Sequence, residues 1–93
     1  MVSDKNNHGI SLDNSGGTEI SNNQLHSNKL NGIHLENANS NKIKENNSIM
    51  LNGNNGIYLK NSEKNNIEEN EIFQNNKSGI FLMESQKNYL PSR

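Results

Sequence analysis

The chain has no cysteine and one proline, and only 28% of its 93 residues are hydrophobic. Without cysteine, neither a disulfide framework nor a thiolate metal site is possible. No apolar run approaches the length of a transmembrane helix, which excludes membrane insertion by that route. The opening Met1-Val2-Ser3-Asp4-Lys5-Asn6-Asn7 also lacks the apolar core of a secretory signal. Read literally, that start gives a soluble intracellular chain; the alternative is one piece of a longer exported protein. The net charge is −1 and there is no basic stretch, so nucleic-acid binding through a phosphate-neutralising patch is not expected. By composition alone, with 22 asparagines and so little apolar surface, the chain would be disordered. The order of the residues argues otherwise.

Gly9-Ile10-Ser11-Leu12 returns as Gly32-Ile33-His34-Leu35, Gly56-Ile57-Tyr58-Leu59 and Gly79-Ile80-Phe81-Leu82, with glycine spacings of 23, 24 and 23 residues. Periods of this size belong to stacked architectures, in which each unit buries its apolar face against its neighbours. With the glycine counted as position zero, positions one and three are Ile and Leu in all four units. Position eleven is Ile20, Ile43, Ile67 and Leu90; position sixteen is Leu25 and Ile72, with Ile49 one place late in the second unit. One extra residue near Asn46-Asn47 explains both that shift and the longer spacing. Apolar residues two apart, then single isoleucines flanked by polar residues, predict short strands and not helices. Each unit is therefore expected to hold about three short strands joined at corners, pairing in parallel with the next unit. A lead-in over 1–8, repeats over 9–31, 32–55, 56–78 and a partial 79–90, and a tail over 91–93 beginning at Pro91 follow from the spacing.

Asparagine interrupts the pattern at fixed places. It suits tight corners and tolerates left-handed backbone. Asn14, Asn37 and Asn61 share position five, where Glu84 breaks the series; Asn23, Asn46 and Asn70 share position fourteen; Asn28, Asn52 and Asn75 align at nineteen once the insertion is allowed. Stacking brings each set into a column, where an amide offers both a donor and an acceptor to its neighbours. All nine are read as structural ladders. A leucine-rich repeat, the main competing solenoid of this period, is rejected because no unit supplies the leading Leu-x-x-Leu.

The pattern Gly-Ile-x-Leu-x-Asn-Ser, followed by Asn-x-Ile-x-x-Asn-x-Ile, is clearest from Gly56 to Ile72. It resembles the right-handed parallel β-helix repeats of NosD-like proteins, and similar repeats occur in carbohydrate-binding and sugar-hydrolase β-helix domains. The resemblance runs from about Gly9 to Leu90. It implies an all-β solenoid of about four coils in a cell-surface or periplasmic protein. Some members of the family are linked to polysaccharides, and NosD itself to maturation of a copper enzyme.

Position two lies between inward residues and points outward. Its column reads Ser11, His34, Tyr58, Phe81, so His34, Tyr58 and Phe81 form an outward aromatic stripe that could stack against sugar rings. Aromatic residues also suit strands and gain from cross-strand contact, which is the plainer reading of the same column. Given the resemblance, His8, His26 and His34, with Met50 and Met83, could suggest a copper site. His26 and His34 fall on different faces, however, and no histidine pair has the i, i+2 spacing that joins two imidazoles on one strand face. Asp13 and Glu36 would stand about 5 Å apart on adjacent coils, a separation compatible with a retaining glycosidase. Acids on an outer face are usually just solvated. β-Helix lyases and hydrolases use clustered acids or a basic residue in a groove, and the single arginine is Arg93. The expectation is thus a non-catalytic scaffold without metal or cofactor, touching polysaccharide through the stripe. The alternatives are a structural segment that stacks end to end on further coils or on itself, and a piece of a polysaccharide-active enzyme.

Overall fold

The structure, a computed structural model, describes residues 2–3, 8–45 and 47–90. Its strands are β1 (Val2–Ser3), β2 (Ile10–Asp13), β3 (Glu19–Ile20), β4 (Gln24–His26), β5 (Ile33–Glu36), β6 (Lys42–Lys44), β7 (Ser48–Met50), β8 (Ile57–Lys60), β9 (Asn66–Glu68), β10 (Glu71–Phe73) and β11 (Ile80–Met83). They form three parallel sheets, ordered β11-β8-β5-β2, β3-β6-β9 and β1-β4-β7-β10. This is a parallel β-solenoid with three strands per coil. Three coils are complete, and β11 with the Asn66–Tyr89 bridge begins a fourth; the expected count of about four differs by that unfinished turn.

The register reproduces the repeat. Ile10, Ile33, Ile57 and Ile80 pair in one line, as do Leu12, Leu35, Leu59 and Leu82. In the middle coils Ile33, Leu35, Ile57 and Leu59 are all 0% exposed, with Leu25, Ile43 and Ile49 beside them. Glu19 pairs with Lys42, 23 residues on, but Gln24 pairs with Ser48, 24 residues on. The extra residue therefore lies between Lys44 and Ser48, as the sequence required. The repeating glycine has a steric cause: a Cβ on Gly32 or Gly56 would lie 2.8 or 2.7 Å from the carbonyl oxygen of the next coil's glycine. Any side chain there would push the coils apart.

The corners are as regular as the strands. Four columns of residues with φ between 50° and 72° mark them: Asn14, Asn37, Asn61, Glu84; Gly17, Ser40, Lys64, Lys87; Asn22, Glu45, Glu69; and Ser27, Leu51, Gln74. Left-handed backbone breaks the strand ladder and leaves buried N–H and C=O groups that need partners. The ladder residue follows the corner residue, with one residue between them only at the insertion. Asn28 N–H donates to Asn52 Oδ1 at 3.1 Å, and Asn52 N–H to Asn75 Oδ1 at 3.0 Å. Asn52 Nδ2 and Asn75 Nδ2 in turn donate to the carbonyls of Leu25 and Ile49, both at 3.1 Å. Each amide thus serves one acceptor and one donor of the preceding coil.

Two expectations about these columns are corrected. Asn14, Asn37 and Asn61 are not ladder rungs: they are exposed corner residues with φ of 55°, 54° and 51°. The following Ser62 takes the rung, its hydroxyl accepting the Ala38 N–H at 3.1 Å. In the position-fourteen column the rung between Asn23 and Asn70 is Asn47. Its Oδ1 accepts Asn23 N–H at 3.0 Å and its own Nδ2 reaches Asn70 Oδ1 at 2.8 Å. The insertion precedes that residue and not the one after it; Asn46 lies outside the described residues. Sequence inspection also missed a rung set, Asn41, Asn65 and Asn88, in which Asn41 N–H donates to Asn65 Oδ1 at 2.8 Å and Asn65 N–H to Asn88 Oδ1 at 2.9 Å.

Candidate functional site

The outward column of the four-stranded β2/β5/β8/β11 sheet gathers the chain's unusual side chains. In-register pairing sets Ser11 beside His34, His34 beside Tyr58, and Tyr58 beside Phe81. Their rings lie nearly parallel: 5.1 Å and 17° between His34 and Tyr58, 5.5 Å and 5° between Tyr58 and Phe81. The spacing between strands, about 4.8 Å, is close to the distance at which aromatic rings stack, so cross-strand contact turns the rings onto one another. Ring faces are consequently covered, and their edges point to solvent. Phe81 ends the pile with one face that has no neighbouring ring, and it is 38% exposed.

A fourth ring joins the pile. His8 stacks on His34 with centroids 4.4 Å apart and planes 25° apart. The i, i+2 test within one strand did not address this pair, because His34 lies on β5 and His8 precedes β2 in the neighbouring coil. His8 precedes β2 by two residues and leans into the place that Ser11, having no ring, leaves open. Asn31 N–H approaches His8 Nδ1 at 3.4 Å. Burial first, and the charge of His34 second, lower the pKa of His8 below its ordinary 6.5. At the far side His34 Nε2 meets Glu36 Oε1 at 3.5 Å.

Beside the pile runs a shallow groove lined by Asn31, Asn54, Asn55, Lys77 and the edges of Tyr58 and Phe81. Asn55 belongs to a rung column that runs the opposite way from the others: its N–H donates to Asn31 Oδ1 at 2.9 Å, and its own Oδ1 accepts Ser78 N–H at 3.1 Å. Asn54 and Lys77 had no signal in the repeat, because both occupy corner positions whose identity varies between coils. On the other flank Asp13 and Glu36 are paired partners on adjacent strands, as expected. His26 lies on β4 in a different sheet, with its Nδ1 3.1 Å from Ser27 Oγ. Among the described residues no group of three or more His, Cys, Asp or Glu is placed to hold a metal ion.

A family model described as periplasmic copper-binding protein (NosD) matches residues 1–92. The chain belongs to the NosD family. That agrees with the stacked repeats, the parallel sheets and the glycine column, and the family's description as periplasmic fits a placement outside the cytoplasm. No curated protein and no solved structure matches the chain significantly.

Proposed function

We propose that this NosD-family solenoid is a non-catalytic scaffold outside the cytoplasm that holds polysaccharide along the groove beside its ring stack. The observation that carries this reading is the groove's make-up: amides of Asn31, Asn54 and Asn55 and the ammonium of Lys77 facing a wall of aromatic edges. Sugars combine hydroxyls that need such donors and acceptors with apolar C–H faces that lie well against rings. Phe81 supplies the free ring face, and Tyr58 and His34 supply edges. A glycan array comparing the native chain with Tyr58→Ala/Phe81→Ala tests this. Binding by the native chain that the double variant loses is the expected result; no binding by either form removes the sugar reading.

A non-catalytic role is supported by the setting of the carboxylates. Asp13 and Glu36 stand on an outer strand face, with Asp13 exposed. The copper binding in the family's description is not carried over to this chain. His8 and His34 are stacked face to face, so their in-plane lone pairs run side by side and do not converge on one ion. His26 is on another sheet. These residues do not fit a copper centre.

A further inference from the structure

Two demands of the coil put the same dipeptide at three places. A rung position calls for an amide that reaches a neighbouring coil, and a close approach of backbones calls for a residue without a Cβ. Where the two fall side by side the sequence reads Asn31-Gly32, Asn52-Gly53 and Asn55-Gly56. All three asparagines are buried, at 6%, 2% and 8% exposed. The glycines are forced: a Cβ on Gly32 or Gly56 would lie 2.8 or 2.7 Å from a carbonyl oxygen of the next coil, and one on Gly53 would run into the Lys29 carbonyl. Asparagine before glycine is also the pair most open to reaction with itself, because no side chain shields the following nitrogen. We propose that these three pairs are latent modification sites, held unreactive in the closed solenoid, which cyclise and lose ammonia when a coil opens and so make the opening irreversible.

In an open chain the reaction needs only water. The glycine nitrogen gives up its proton and bonds to the asparagine Cγ. The Cγ–Nδ2 bond breaks, and the side-chain amine leaves with that proton as ammonia. Water then opens the cyclic imide at either carbonyl, giving aspartate or its isomer, in which the main chain runs through the side-chain carbon. The fold blocks the first step from both sides. Each glycine N–H is held by a carbonyl of a neighbouring coil: Gly32 by Asn55 at 3.1 Å, Gly53 by Asn28 at 2.8 Å and Gly56 by Ser78 at 2.9 Å. A nitrogen in such a bond neither sheds its proton readily nor swings onto Cγ. The asparagine side chains are held as well, because Asn31 Oδ1 accepts Asn55 N–H at 2.9 Å, Asn55 Oδ1 accepts Ser78 N–H at 3.1 Å and Asn52 Oδ1 accepts Asn28 N–H at 3.1 Å. A converted coil cannot close as before. At position 52 an oxygen would replace the Nδ2 that donates to the Leu25 carbonyl at 3.1 Å and to Asn75 Oδ1 at 2.9 Å, so a buried carboxylate would face two acceptors. At all three places the isomer lengthens the main chain and breaks the register between coils.

The test is peptide mapping by mass spectrometry of the full chain, incubated at mildly alkaline pH either folded or in urea, with Asn14-Ser15 as the internal reference. Asn14 is exposed and is followed by a serine, whose side chain hinders the attack. In urea the three Asn-Gly pairs should therefore convert faster than the reference. In the folded chain the order should reverse. Each Asn-Gly pair should then convert at least about a hundredfold more slowly than in urea, because only the open population reacts. Converted chains are next separated from unconverted ones of the same sample by their added negative charge, and urea is removed from both. The unconverted chains should regain the β-type circular dichroism spectrum and the converted ones should not. Asn-Gly pairs that convert as fast in the folded chain as in urea overturn the proposal. Converted chains that refold and melt like the unconverted ones overturn it too, since opening would then leave no lasting mark.

Discussion

Replacing Asn52 by alanine should unfold this protein more readily than its small size change suggests. Asn52 is 2% exposed. Its Oδ1 accepts the backbone N–H and Nδ2 of Asn28 at 3.1 and 3.0 Å, and its Nδ2 donates to the Leu25 carbonyl at 3.1 Å and to Asn75 Oδ1 at 2.9 Å. Alanine removes all four bonds. Two of the groups that lose them are backbone atoms of Asn28 and Leu25, residues 2% and 0% exposed, where water cannot substitute. A buried polar group deprived of its partner costs about 1–3 kcal/mol, which puts the loss at about 2–6 kcal/mol. A domain of this size has about 5–15 kcal/mol in total, so the change is a large fraction of the whole. Asn61 is the matched control. It is exposed at a corner with φ of 51°, and Asn61→Ala forfeits only the tolerance of asparagine for left-handed backbone, about 1 kcal/mol. Urea unfolding followed by circular dichroism, with both variants and the native chain, measures the difference. Equal losses for the two variants would refute the argument that rungs and corners do different work.

Two further outcomes follow from local geometry. Gly56→Ala should destabilise by about 1–3 kcal/mol, since its Cβ lands 2.7 Å from the Gly79 oxygen and from Ile72 Cγ2, whereas Gly79→Ala should stay within about 0.5 kcal/mol in dilute solution; thermal melts of both decide it, and a tolerated Gly56→Ala would mean the coils can separate. Stability should also fall at mildly acid pH. His8 is held below its ordinary 6.5, first by burial and then by the charge of His34, so the unfolded chain binds the proton more readily. The stability due to neutral His8 is present in full above 6.5 and is lost as pH falls through 6.5 towards the lowered folded value. Melts across that range should show the native chain losing more than His8→Asn, which places the column's own residue type there; parallel curves would exclude His8 as the source.

The strand layout was legible in the sequence because it follows from a single rule. Residues two apart on a strand share a face, so Ile-x-Leu after each glycine could only be an inward pair, and the Lys44–Ser48 insertion showed as a displaced Ile49. The ring stack was half legible. His34, Tyr58 and Phe81 share a repeat position, but their orientation depends on strand spacing, and His8 enters from outside the repeat's alignment.

The asparagine columns mark the boundary most clearly. Asn61 and Asn52 look alike in the repeat, each recurring at a fixed position among polar neighbours. Yet Asn61 turns outward on a left-handed corner, whereas Asn52 turns inward just after a different one, at Leu51, because a corner needs both a residue that bends and a residue that satisfies the backbone the bend exposes. By itself the sequence determined the period, the inward apolar lines and the parallel stacking, since these depend on spacing alone. Only the tertiary structure decided which amides are rungs and that the rings face one another and not the solvent, since these depend on distances between coils that no single repeat contains.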